Sequence, residues 1–409
     1  MRKLWSSLRG QPREVWILFA TSLINRAGTM ALPFLVLYLT RHLDFTPSRA
    51  GMMLAIYGAG SLVAAPVSGW LCDRIGPARI LVASLLLSGV ALLLYPLAHE
   101  MAPVIAMTLA WSLSNELYRP AALSAVSELV SPEQRRPAFA LQRLAINLGM
   151  SVGPLVGGFL ALVSFQWIFL VDGLTSLLAG AFLWWSMAKW KSSAAGRNAT
   201  RKAAQSEGPR ARAALADRRF VAFLFALIPV AIVFFQHESA MALFLVRDLH
   251  LKESTYGLMF TINTLLIVAF EVPLNASMSH WPHARTLVIG SLLVGSGFGA
   301  LALVSRVPEV ALTVVVWTFG EMILLPGMSS FVADLAPDDR RGEYMGLYTM
   351  AFGAAFAIGP WAGTLLLDRA GATVLWASMF VFGILSALLF SRVAGEPAAG
   401  ARVVVGSSI

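Results

Sequence analysis

The chain has 409 residues, 57% of them hydrophobic and 13% charged, with one cysteine and a formal net charge of +9. A soluble globular chain carries about 25% charged residues. The composition therefore excludes a soluble enzyme, a disordered protein and a secreted disulfide scaffold, and it indicates a polytopic helical membrane protein.

A transmembrane helix takes about 20 apolar residues. Runs of that length fall at 15–39, 49–72, 79–98, 101–127, 138–163 and 165–188, then at 219–246, 254–279, 286–305, 308–333, 344–367 and 371–393. They predict an all-α membrane protein of twelve transmembrane helices in two pseudo-symmetric six-helix bundles. The first run is longer than the apolar core of a secretory signal and lacks a small-residue cleavage site, so it reads as the first span. The gaps are short, which forces neighbouring helices to be antiparallel. The exception is 189–218, where eight Lys and Arg residues, with Arg219 next to them, face only Glu207 and Asp217. This stretch reads as a solvated linker. The predicted units are an N-terminal bundle (1–188), the linker (189–218), a C-terminal bundle (219–393) and a tail (394–409).

Orientation follows from Lys and Arg, which favour cytoplasmic loops. With the N-terminus inside, cytoplasmic segments hold 22 basic residues and outer loops six, while Arg26, Arg119 and Arg143 lie within spans. The bias predicts a multi-pass protein of the cell (inner or plasma) membrane with both termini and the linker in the cytoplasm.

The halves repeat each other at an offset of 206 residues. Arg41 meets Arg247, Gly51 meets Gly257, Arg79 meets Arg285, Trp111 meets Trp317, Pro120 meets Pro326, and Gly153-Pro154 meets Gly359-Pro360. Two similar bundles can rock about a shared interface and expose a central site to either side in turn.

Two motifs stand out. Between spans two and three lie Gly69, Asp73, Arg74, Gly76, Pro77 and Arg79. Gly69 permits close helix approach, Gly76-Pro77 makes a turn, and the arginines hold the loop on the cytoplasmic side. In span five, Gly149, Gly153 and Gly157 are spaced by four and share one face, open to a neighbouring helix. Gly158 follows, and Pro154 favours a bend. Span eleven repeats that face with Ala355, Gly359-Pro360 and Gly363.

The loop pattern closely resembles that of the major facilitator superfamily, and the glycine-proline pattern resembles the motif of its drug/proton antiporter branch. The resemblance covers all twelve spans. It implies alternating access and a conformational latch at Asp73, with Glu128 as its charge partner. It also implies a central cavity lined by spans one, four, seven and ten. One departure is that the arginine often found in span four of that branch corresponds here to Thr108. Arg119 lies about 16 Å nearer the cytoplasm and does not inherit its role.

Ionisable groups inside a bilayer are costly and are functional candidates by default. Arg26, Glu116, Arg119, Glu238 and Glu321 fall on the presumed cavity spans, and Glu321 aligns with Asn115 in the repeat. A carboxylate in a poorly hydrated cavity holds a proton more readily than one in water. Glu116, with Arg26 or Arg119 as counter-charge, is the expected coupling site of the first half. Glu321 or Glu238 serves the second. The alternatives are a static Glu116–Arg119 ion pair, a wetted rim position for Glu238, and packing roles for Glu271, Asp172 and Arg143. Trp111, Tyr118, Phe234, Phe235 and Trp317 could hold lipophilic or cationic solutes through ring faces.

No metalloprotease, P-loop or metal-spacing motif is present, so neither an enzyme nor a cofactor is expected, and the proton is the expected coupling ion. The reading is a secondary active transporter that works by alternating access in proton-coupled efflux of small lipophilic, drug-like molecules. Its partners are a small-molecule substrate and the lipid bilayer, not nucleic acid, and it functions as a monomer. The alternatives are a carrier of metabolites, including anionic ones, for which Arg26 is suited, and a lipid or lysolipid flippase.

Overall fold

The computed structural model describes residues 10–131, 134–187, 214–337 and 340–395. Most of the expected linker and nearly all of the tail lie outside the described residues.

Span one consists of two helices, Arg13–Gly28 and Ala31–Arg41. Spans two and three are Pro47–Ile75 and Pro77–Leu94. Span four is again two helices, Met101–Glu116 and Tyr118–Leu129. Spans five and six are Arg135–Val163 and Phe165–Met187. Span seven runs as Arg218–Phe234, a 3-10 turn at Phe235–Glu238, and Ala240–Leu243. Spans eight, nine and ten are Glu253–Ser277, His283–Gly299 and Val307–Leu335. The final helix, Arg341–Gly395, has 55 residues, about 80 Å at 1.5 Å per residue, far more than one bilayer crossing needs. It turns at Gly371, whose φ of 83° is non-helical, and so supplies spans eleven (341–370) and twelve (372–395).

Ten helices among the described residues are long and apolar enough to cross a membrane. They make eleven crossings, because Arg341–Ala394 is two spans, and the twelfth is span four, which is divided at Leu117 into pieces that are each too short alone. No strand occurs among the described residues.

Local chemistry sets the helix ends. Thr46 accepts a hydrogen bond from the Arg49 amide in front of Pro47, the arrangement of an N-cap followed by proline. Gly76 sits at φ 88°, where a side chain would be strained, and Pro77 opens span three. Asp217 caps span seven through the amides of Arg219 and Phe220. Large apolar side chains remain on the outside, with Trp185 77% and Leu303 86% exposed. That is the pattern of helices facing hydrocarbon rather than water.

The halves pack together along two seams, span five on span eight and span two on span eleven. Backbone approach at the seams depends on glycine. A Cβ at Gly58 would lie 2.6 Å from the Ala357 backbone, and one at Gly158 would lie 2.7 Å from that of Ser254. Gly69 departs from its expected role, because nothing lies within 4 Å of the Cβ it would carry; the same holds for Gly346 of span eleven. Close contacts between spans two and eleven occur at Gly51 with Thr364 and at Gly58 with Ala357, while Gly69 and Gly346 are exposed. Span five also runs unbroken through Pro154. The interruptions occur instead in spans one, four and seven.

Candidate functional site

The break in span one is built from both sides. The first helix ends with the Thr29 amide bonded to the Arg26 carbonyl at 3.2 Å. The second begins with the Met30 and Ala31 amides donating to one oxygen of Asp172, on span six, at 3.0 and 2.9 Å. A carboxylate at a helix start satisfies otherwise unpaired N–H groups and suits the positive end of the helix dipole. The glycine face of span five grips the break. A Cβ at Gly149 would lie 2.5 Å from Arg26 Cβ, one at Gly153 2.5 Å from the Thr29 carbonyl oxygen, and one at Gly157 2.8 Å from Met30 Cβ. The close approach expected of this stripe is therefore present, and its target is the interrupted span. The Arg26 guanidinium lies 5.9 Å from the ring centroid of Tyr118, and its Nε is buried without an acceptor. Tyr118 is itself buried and hydrogen-bonded to Ser22 at 2.6 Å, so it is a packing residue beneath the arginine.

A second cluster joins spans two and four. The Tyr57 hydroxyl donates to Glu116 at 2.9 Å, and Asn115 donates to the Tyr57 hydroxyl at 2.7 Å and to Glu116 at 3.4 Å. Ser112 donates to the Tyr57 carbonyl. Glu116 ends one helix of span four and Arg119 lies past the interruption, exposed. The ion pairs among the described residues do not include Glu116–Arg119. Trp111 is buried with its ring 4.9 Å from Tyr57 and 6.0 Å from Tyr95.

The second half answers with the same positions. Asn263, the repeat equivalent of Tyr57, donates to Glu321 at 2.8 Å and to Thr318, the equivalent of Ser112, at 3.0 Å. Here the cluster borders a cavity of about 160 Å³. Glu321, Trp317, Phe234 and His237 line it, as do Phe260, Asn263, Thr264 and Ile267 of span eight and Asn147 and Met150 of span five. His237 Nδ1 is 2.6 Å from the Phe234 carbonyl, and its Nε2 is 3.6 Å from Glu238. Glu238 and Phe235 stand off this lining; Phe235 packs on Phe352 and Phe356 of span eleven. The sequence reading missed spans five and eight as wall, and Asn263 above all. Extending the 206-residue offset to Tyr57 would have found it.

At the loop motif, Asp73, Arg74 and Arg79 are exposed and Glu128 is half-buried. Arg74 stacks over Trp70 at 4.0 Å. Two ion pairs join the halves: Arg41 to Glu253 at 2.8 Å, and Arg143 to Glu271. Tyr256 of span eight adds hydrogen bonds to the carbonyls of Pro33 and His237.

The family model described as Major Facilitator Superfamily matches residues 17–244 and 237–406. The chain belongs to the Major Facilitator Superfamily. It is thus a multi-pass membrane transporter of that superfamily. It is 26% identical to a protein of Planococcus maritimus named as a Na(+), Li(+), K(+)/H(+) antiporter, over 82% of this chain and 85% of that one. It is 24% identical to the multidrug resistance protein MdtH of Enterobacter sp. (strain 638), over 78% of each chain. Among solved structures, a POT family transporter in complex with 5-aminolevulinic acid superposes with a TM-score of 0.78 at 16% identity, covering 94% of this chain and 97% of that one. That likeness concerns the fold alone.

Proposed function

We propose that this superfamily member is a proton-coupled antiporter that exports small lipophilic molecules, cationic ones included, by alternating access, with both termini in the cytoplasm. The observation that carries the reading is Glu321. It borders an aromatic cavity, accepts one hydrogen bond from a neutral amide, and has no cation within ion-pair distance among the described residues. Such a carboxylate holds either a proton or the positive end of a solute. Competition between the two for one site makes the fluxes opposite in direction. Glu116 offers a related carboxylate in the first half, and the relatives named as a multidrug resistance protein and as a cation/proton antiporter support the same direction.

The test is reconstitution into liposomes with an imposed pH gradient and ethidium as the probe. Dye movement should follow the gradient, and Glu321→Gln should abolish it while folded yield is retained. Movement indifferent to both the gradient and the substitution would overturn the reading. A second reading, an anionic solute, is favoured by the unpartnered Nε of Arg26. It expects Arg26→Gln to stop transport of an organic anion and to spare ethidium.

A further inference from the structure

The interruptions of spans one and seven are repeat equivalents, since Thr29 plus 206 is Phe235, yet they are held by different chemistry. In span seven the holding side chains bind carbonyls, with His237 Nδ1 2.6 Å from the carbonyl of Phe234. Gln236 donates to the carbonyls of Ile232 and Gly359, both at 2.9 Å, and Ser239 donates to Gln236 at 3.4 Å. In span one the holding group is ionisable, since one oxygen of Asp172 takes both free amides. Asp172 is 4% exposed and is the eighth residue of span six, about 10 Å from its start. A neutral oxygen can cap a helix start, as the Thr46 hydroxyl does for the amide of Arg49, so capping alone does not call for a buried carboxylate, a group that is costly in a bilayer.

We propose that Asp172 is a proton-sensitive clasp on the hinge of span one, a positioning residue that sets where Arg26 stands. As a carboxylate, it accepts two charge-assisted hydrogen bonds. With a proton on the other oxygen, it becomes an ordinary carbonyl acceptor, and its grip on Met30 and Ala31 weakens. Arg26 closes the preceding helix one turn away, so its guanidinium moves with the hinge. The charged and titratable surroundings are few. Arg26 is the charge that acts on Asp172. Tyr38 of span one and Tyr95 near the end of span three pack on Phe169, one turn from Asp172. Span five carries its ionisable residues only between positions 135 and 143, at least six residues, about 9 Å, before Gly149, which abuts Arg26. The clasp thus answers to protons and to Arg26, and in the matching hinge of span seven no side chain accepts from the first amides of the Ala240–Leu243 helix. This asymmetry rests on the carrier reading only for its consequence in transport.

The experiment uses the full-length protein in lipid. Cys72 is its one cysteine, so Cys72→Ser supplies the background for spin labels at Leu23→Cys and Leu32→Cys, on either side of the break. The separation of the labels should change with pH when Asp172 is present. Asp172→Asn should hold the low-pH distribution at every pH, and Asp172→Glu should restore a pH response. A pH-independent separation in the protein that retains Asp172 overturns the proposal without needing any variant to fold, and so does an unchanged response in Asp172→Asn. The ethidium assay separates the two ideas. Gradient-driven dye movement with a pH-blind hinge leaves the carrier and removes the clasp, whereas a pH-sensitive hinge with no dye movement does the reverse.

Discussion

Arg143 of span five forms an ion pair with Glu271 of span eight, so two residues 128 positions apart tie one half of the molecule to the other. The arginine side chain is 59% exposed and the glutamate 12%. Eighteen residues earlier on span eight, about 27 Å along the helix axis, Glu253 pairs with Arg41 in the same inter-half sense. Span eight is therefore tied to the first half by charge at two places, to span five through Glu271 and to span one through Glu253, with glycine contacts to span five between them.

Because Arg143 is largely exposed, screening limits the worth of its pair. A double-mutant cycle of Arg143→Gln and Glu271→Gln should return a coupling of about 1 kcal/mol, falling as salt is added. Glu271→Gln should be tolerated better than Arg143→Gln, which leaves a mostly buried carboxylate without its partner. Thermal unfolding in detergent checks both, and equal effects of the two single variants would contradict the assignment.

Two glycines should respond oppositely to alanine. A Cβ at Gly153 would meet the Thr29 carbonyl oxygen at 2.5 Å, whereas Gly69 has open space. Gly153→Ala should cost about 1–3 kcal/mol through overpacking and disturb the hinge. Gly69→Ala, in a helix interior, should be neutral or stabilising by about 0.5–1 kcal/mol. Melting temperatures of the two variants against the parent provide the measurement.

The repeat-related tryptophans should separate by role. Trp317 borders the cavity and Trp111 is buried against Tyr57 and Tyr95. Trp317→Leu should weaken ethidium binding roughly five- to tenfold, the loss of a cation–π contact of about 1 kcal/mol or slightly more. Trp111→Leu should lower stability and leave the dissociation constant near that of the parent. Calorimetric titration distinguishes them, and a matching loss in both variants would argue against a cavity role special to Trp317.

The sequence by itself determined the twelve crossings, because each must bury about 20 apolar residues in hydrocarbon whatever its neighbours do. The turn at Gly76-Pro77 and the close-packing stripe at Gly149, Gly153 and Gly157 were legible for a related reason. A positive φ and a missing Cβ are properties of the residue itself. Only the tertiary structure decided that the stripe presses on a broken span one, that Gly69 faces open space, and that Asp172 holds two amides 141 and 142 positions away. It also decided that Glu321 meets Asn263 beside a cavity while Glu116 meets Tyr57 and not Arg119. Hydropathy reports how a side chain partitions between water and lipid, and it carries no information on which of several helices a polar group will face. That choice belongs to packing, where a buried carboxylate must find its donors wherever the folded chain brings them.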